Sequence, residues 1–155
     1  MAQPVRIRLA NAADGGFIER LVPRFAESGV PPWRTREEIE TGTLRQLLAA
    51  LAAGDAADSA IFIATDAAGG ALGFVWVVLT DDFYGGPPMG KISEIAVEES
   101  GKGTGRALMQ AAEAWACRRG ARLMLLNALQ NNAYGRRFYA LQGYEPEYTA
   151  FVKRL

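Results

Sequence analysis

Val5-Arg6-Ile7-Arg8-Leu9 alternates apolar and basic positions, which is the period of a half-buried strand. Asn11 to Asp14 then supply helix N-cap residues, and Phe17, Ile18, Leu21, Val22 and Phe25 recur at helical spacing, with Pro23 placed to kink or end that helix. Ser28-Gly29-Val30-Pro31-Pro32 reads as a loop. Thr35 with Glu38 makes a capping box ahead of Ile39, Leu44, Leu47, Leu48 and Leu51, a second helical region that Gly42 is expected to divide. Ala60–Thr65 and Ala71–Leu79 are strand-like runs joined by Ala67-Ala68-Gly69-Gly70, an antiparallel hairpin by its turn chemistry.

The second half of the chain alternates strand and helix signals. Asp81–Gly90, with its glycines and prolines, is a loop. Lys91–Val97 predicts a strand with Ile92, Glu94 and Ala96 on one face and Ser93, Ile95 and Val97 on the other. A glycine cluster precedes a helix whose apolar stripe is Leu108, Ala111, Ala112, Trp115 and Ala116, closed by Gly120. Arg122–Asn127 predicts another strand. Asn132–Gln142 predicts a short helix burying Tyr134, Phe138 and Leu141, and Tyr144–Leu155 a final extended segment. The order has no repeat and no linker, so residues 1–155 are expected to form one α+β or α/β domain around a central sheet.

Composition narrows the chemistry. Seventeen basic residues balance seventeen acidic ones, so no net field favours nucleic acid or an anionic membrane. The longest strongly apolar stretch, Phe74–Leu79, is too short to span a bilayer, and Met1–Leu9 has no uninterrupted apolar core of a signal peptide. A soluble cytoplasmic protein is the expectation. Cys117 is the only cysteine, which excludes an intramolecular disulfide and a zinc-ribbon spacing. The chain holds no histidine, so no Ser-His-Asp or Cys-His unit and no histidine-ligated metal is available. Acid–base work falls to carboxylates, tyrosine, lysine, the thiol or water, and no metal is expected.

Two runs carry the candidate chemistry. Ser100-Gly101-Lys102-Gly103-Thr104-Gly105 lies between a strand and a helix, where glycines let a diphosphate approach the unpaired N–H groups of the helix start. It lacks the Walker A spacing and is a poor dinucleotide fingerprint, since Leu108 stands where a third glycine would fall. Taken alone it is also read as a plain turn into a helix. The second run, Asn132 to Tyr144, reads by periodicity as a core aromatic helix with Tyr139 at the edge of its buried stripe.

Together the two runs resemble the GCN5-related N-acetyltransferase family. Val97 followed by Gly-Lys-Gly-Thr-Gly is similar to its pyrophosphate motif, and Asn-x-x-Gly-x-x-Phe-Tyr-x-x-x-Gly-Tyr to its downstream run. The hairpin with Gly73 and the opening strand followed by Asp14 extend the likeness over essentially the whole chain. Ser100 stands where the family commonly has Arg or Gln, the loop from Val97 is shorter, and Gly135 replaces an alanine.

The resemblance implies a mixed, mostly antiparallel twisted sheet flanked by helices, with acetyl-CoA held between two splayed parallel strands, Lys91–Val97 and Arg122–Asn127. It implies cofactor contacts from Ile95, Ala96, Val97, Lys102, Gly103, Thr104, Gly105, Arg106 and Asn132. An amine of a small molecule or peptide then attacks the thioester directly, with Glu94 as general base and Tyr139 as general acid. Acceptor recognition falls to the flanking loops, with Trp33, Phe83 and Tyr84 as walls and Asp81 and Asp82 as partners for a cation. A non-catalytic acyl-CoA-binding or sensory domain is the alternative. Dimers are common in the family, so a homodimer is compatible with this reading.

Overall fold

The computed structural model describes residues 4–155. The chain runs β1 (Arg6–Leu9), α1 (Gly15–Leu21), α2 (Arg36–Ala53), β2 (Ser59–Thr65), β3 (Ala71–Thr80), β4 (Met89–Val97), α3 (Thr104–Arg118), β5 (Met124–Leu126) and α4 (Ala133–Leu141). One five-stranded sheet takes the order β1-β2-β3-β4-β5. The first three pairings are antiparallel and β4–β5 is parallel.

Local chemistry sets the element ends. Asn11 caps a 3-10 turn ahead of α1, and buried Asp14 accepts from the Asn11 backbone N–H at 2.8 Å and from Arg8 at 2.7 and 2.8 Å. The Arg8 guanidinium holds the Asp14 carboxyl below the usual carboxylate range. Pro23 lies in a 3-10 turn just after α1. The Thr35–Glu38 capping box forms in both directions, at 3.1 and 2.7 Å. Gly42 does not divide the following helix, which runs unbroken for 18 residues. One glycine costs about 1 kcal/mol in a helix interior, and fully buried Leu47 with Leu44 and Leu51, all past the glycine, anchors the helix in the core.

The sheet separates two cores. On one face α3 packs Leu108, Met109, Ala112, Trp115 and Ala116 onto Val75, Val77 and Ile92. On the other, Ile18, Leu21 and Leu47 cover Ile63, Phe74 and Ala96. The expected face of β4 is therefore wrong in one respect, because Ile92 and Ala96 lie on opposite sides. The pairing explains this: Val77 faces Ile92 while Trp76 faces Glu94, which leaves Ser93 as the extra residue of a β-bulge. The bulge reverses the alternation for the rest of the strand.

Two further expectations are corrected. The buried face of α4 is turned from the expected one: Tyr134 and Leu141 are exposed, Gly135 is buried, and Phe138 and Tyr139 are half-buried. Gly135 is buried beneath the Asn132 cap, whose side chain a β-carbon there would strike, and the Phe138 and Tyr139 rings pack onto the α3 side of the core. The chain from Tyr144 to Leu155 forms no strand. Pro146 removes a ladder donor and the flanking Glu145 and Glu147 stay in water. Among the described residues, no helix is long and apolar enough to cross a membrane, and no three His, Cys, Asp or Glu side chains cluster as metal ligands.

Candidate active site

The parallel contact between β4 and β5 covers three residue pairs and ends at Ile92–Leu126. Beyond it the strands part, and the bulge at Ser93 begins where pairing stops. Glu98 N–H donates to Leu72 O at 2.8 Å, so Glu98, Ala96 and Glu94 direct their backbone groups toward β3. By alternation, the N–H and C=O groups of Ile95 and Val97 face the gap left by β5. The structure thus brings Ile95 and Val97 to the cleft through their backbones. Ala96 instead points its side chain into the core of the α1–α2 face.

Glu94 occupies that same face, directly opposite Trp76, whose indole N–H donates to Ser59 Oγ at 2.9 Å. Burial pushes the Glu94 carboxyl up to about 7, and the positive charge of Lys91 only partly opposes it. Tyr139 lies on α4, with its ring packed on the α3 side of the core. Burial raises its phenol above the ordinary value, and the negative charge of Glu94 raises it further. Glu94 is thus an acceptor poised near neutrality and Tyr139 a donor that keeps its proton. Phe138 and Tyr144 flank the Tyr139 ring edge-on, with centroids 5.5 and 6.4 Å away.

The glycine run bares the backbone at a helix start. Gly101 and Gly103 take left-handed backbone angles, φ +78° and +82°, which side chains rarely adopt. Gly103 is the N-cap of α3 and offers no side chain, and the first intrahelical bond is from Ala107 N–H to Gly103 O at 3.1 Å. The N–H groups of Thr104, Gly105 and Arg106 precede that bond, as orphan donors of a helix start do. Thr104 is buried, whereas Lys102 and Arg106 are exposed, and Lys102 Nζ lies 3.9 Å from Glu99. These residues fit a diphosphate. Asn132 instead serves its own helix, where its Oδ1 accepts from Gly135 N–H at 2.9 Å and caps α4.

The C-terminal segment touches both loops expected to hold the acceptor. Tyr148 Oη is 3.4 Å from Tyr84 Oη, and Arg154 donates to Pro32 O beside Trp33. Phe83 and Tyr84 stack edge-on at 5.3 Å and are largely exposed, as is Asp81. Asp82 is engaged in its own turn, accepting from Tyr84 and Gly86 N–H at 3.1 Å each. Sequence spacing does not single out Tyr148 or the bulge residue Ser93, and it gives Tyr144 a place in the aromatic run without a partner. Gly143-Tyr144 is the available signal for that place, as a helix stop followed by an aromatic.

A glycine run at a helix start and a parallel pair that parts at a bulge, next to the buried carboxylate of Glu94, define the site. The family model described as an acetyltransferase (GNAT) domain matches residues 57–146. The chain belongs to the GNAT family of acetyl-CoA-dependent acyltransferases. Solved structures agree on the fold. A GCN5-related N-acetyltransferase from Ralstonia eutropha JMP134 is 22% identical with a TM-score of 0.74, covering 98% of this chain and 99% of its own. The ribosomal-protein-alanine N-acetyltransferase from Brucella melitensis biovar Abortus 2308 is 23% identical with a TM-score of 0.70, covering 98% and 100%. The aminoglycoside N-acetyltransferase AAC(6')-Iy in complex with CoA is 19% identical with a TM-score of 0.69, covering 100% and 97%. No curated protein matches the sequence significantly.

Proposed function

We propose that this chain transfers the acetyl group of acetyl-CoA to a primary amine of a small molecule or peptide by direct attack, with Glu94 as base and Tyr139 as acid. The observation that carries the reading is the place of Glu94, opposite Trp76 just past the point where β4 and β5 part, where burial pushes its carboxyl up to about 7. An alkyl ammonium has a pKa of about 10, so it must lose a proton before it attacks. Glu94 takes that proton, directly or through water. Backbone N–H groups of Ile95 and Val97 facing the gap stabilise charge on the thioester oxygen. Tyr139 gives its proton to the departing thiolate and recovers one from solvent. Gly103 and the first turn of α3 hold the diphosphate, as homologous structures with bound CoA suggest by likeness.

The acceptor class follows from the same likeness: one relative bears the name of an aminoglycoside acetyltransferase and another that of a ribosomal-protein alanine acetyltransferase. The test is release of free CoA, read with a thiol reagent, from acetyl-CoA mixed with neamine, spermidine or a peptide with N-terminal alanine. Amine-dependent release in the wild type that Glu94→Gln abolishes supports the reading. Tight acetyl-CoA binding without release for any amine supports a non-catalytic domain instead.

A further inference from the structure

The last turn of α4 ends in a motif that returns the chain onto Tyr139. Gly143 takes φ +90°, its N–H donates to Ala140 O at 3.0 Å, and Tyr144 N–H donates to Tyr139 O at 3.1 Å. These are the two bonds of a Schellman stop, in which the residue after the glycine packs on the residue three from the helix end. Here that pair is Tyr144 on Tyr139, with ring centroids 6.4 Å apart at 63°. The Tyr144 hydroxyl reaches further and donates to Glu113 Oε1 at 2.9 Å. Glu113 sits on α3, the helix whose first turn is proposed to hold the diphosphate.

We infer that Tyr144, anchored by Glu113, is a positioning residue that fixes the Tyr139 ring relative to the cofactor helix. The inference rests on the proposed role of Tyr139 as acid. Without the anchor, Tyr139 sits on the last turn of a nine-residue helix whose outer face is exposed, held by Phe138 and by the edge of the α3-side core. With it, the ring is braced to α3. A side chain that must deliver a proton to the thiolate gains from this, because small misplacements cost large factors in rate. Burial and the Glu113 carboxylate both raise the Tyr144 phenol, so it stays a donor throughout the working range.

The test has two arms. The first needs no acceptor: in CoA-bound protein carrying ring-labelled tyrosine, the Tyr139 flip rate rises about tenfold or more in Glu113→Ala, and an unchanged rate overturns the inference. The second measures turnover of acetyl-CoA with the fastest of neamine, spermidine and the alanine peptide. Tyr144→Phe and Glu113→Ala each lower kcat about tenfold with KM for acetyl-CoA unchanged, and Glu113→Gln, which retains an acceptor oxygen, recovers most of the loss. In a Tyr139→Phe background, Tyr144→Phe adds nothing. A full additional loss there makes Tyr144 merely structural and overturns the inference. A slow Tyr139→Phe beside a normal Tyr144→Phe removes the brace alone, whereas a normal Tyr139→Phe removes the acid and the brace together.

Discussion

A β-carbon on Gly105 would stand 3.1 Å from Cζ of Phe138, so the first turn of α3 and the ring next to Tyr139 touch with little room between them. The glycine acts in two ways. It bares the helix start to an anion, and it lets α4 close on α3. Gly105→Ala therefore shifts Phe138 by a few tenths of an ångström and Tyr139 with it. We predict a change in stability within about 1 kcal/mol, since alanine is also the better helix former, but a several-fold loss of turnover, read by thermal melts and kinetics. Phe138→Leu in the same background relieves the contact and returns part of the rate. Unchanged turnover in Gly105→Ala shows the contact to be slack.

Gly103→Ala separates cofactor binding from that packing. No atom lies within 4 Å of the position its methyl would take, but its φ of +82° is left-handed. The strain is about 1–2 kcal/mol, and relief of it rotates the N–H groups proposed to hold the diphosphate. Calorimetry is expected to show acetyl-CoA affinity weakened roughly tenfold in a folded protein. Unaltered affinity contradicts that role.

Some of this is legible in the chain and some is not. The Thr35–Glu38 box, the Asp66 hairpin turn and the glycine run are local, with their residues within a few positions of each other, so sequence spacing reports them. Asp66 Oδ1, for example, accepts from Ala68 and Gly70 N–H at 2.8 Å. The bulge at Ser93 is set by how β3 and β4 align across the sheet, and nothing in Lys91–Val97 announces it. Alternation puts Glu94 on β4 correctly, yet it pairs Glu94 with Ile92 on one face for want of that bulge. The Tyr144–Glu113 bond joins residues 31 positions apart and has no periodic signature. On α4, hydrophobicity favours Tyr134 and Leu141 for the core, whereas the Asn132 cap covers Gly135 and packing on α3 takes Phe138 and Tyr139.

Asp14→Asn tests the brace between β1 and α1. The carboxylate accepts two bonds from Arg8 and one from Asn11 N–H, and its folded pKa lies below the unfolded value. Its contribution is fully present above the unfolded pKa and is lost as pH falls through the folded one. With Arg8 partly exposed, we predict a loss of about 1–2 kcal/mol at pH 7. The gap to wild type should close in acid melts. A constant gap down to the acid transition refutes the pairing as the cause.

Tyr139→Phe keeps the ring and its contacts with Phe138 and Tyr144 and removes only the donor. Melting temperature and acetyl-CoA affinity are expected to stay near wild type while kcat falls about 10²-fold or more. The alkaline limb of the pH–rate profile should move with the substitution, since burial and Glu94 place the phenol above its ordinary value. Normal turnover assigns protonation of the thiolate to solvent.

The most direct measurement is the pH profile of kcat/KM for wild type and Glu94→Gln. A base held at about 7 is deprotonated only above that point, so wild-type kcat/KM should fall on the acid side with a midpoint near 7. Between the ordinary carboxylate value and about 7 the folded protein retains a proton that the unfolded chain has lost, so stability falls as pH rises through that window. Glu94→Gln should remove that penalty, gaining roughly 1–3 kcal/mol at pH 8, while kcat/KM drops roughly 10²–10⁴-fold and loses its acid limb. A variant with less than about a threefold loss and the same acid limb contradicts Glu94 as the base.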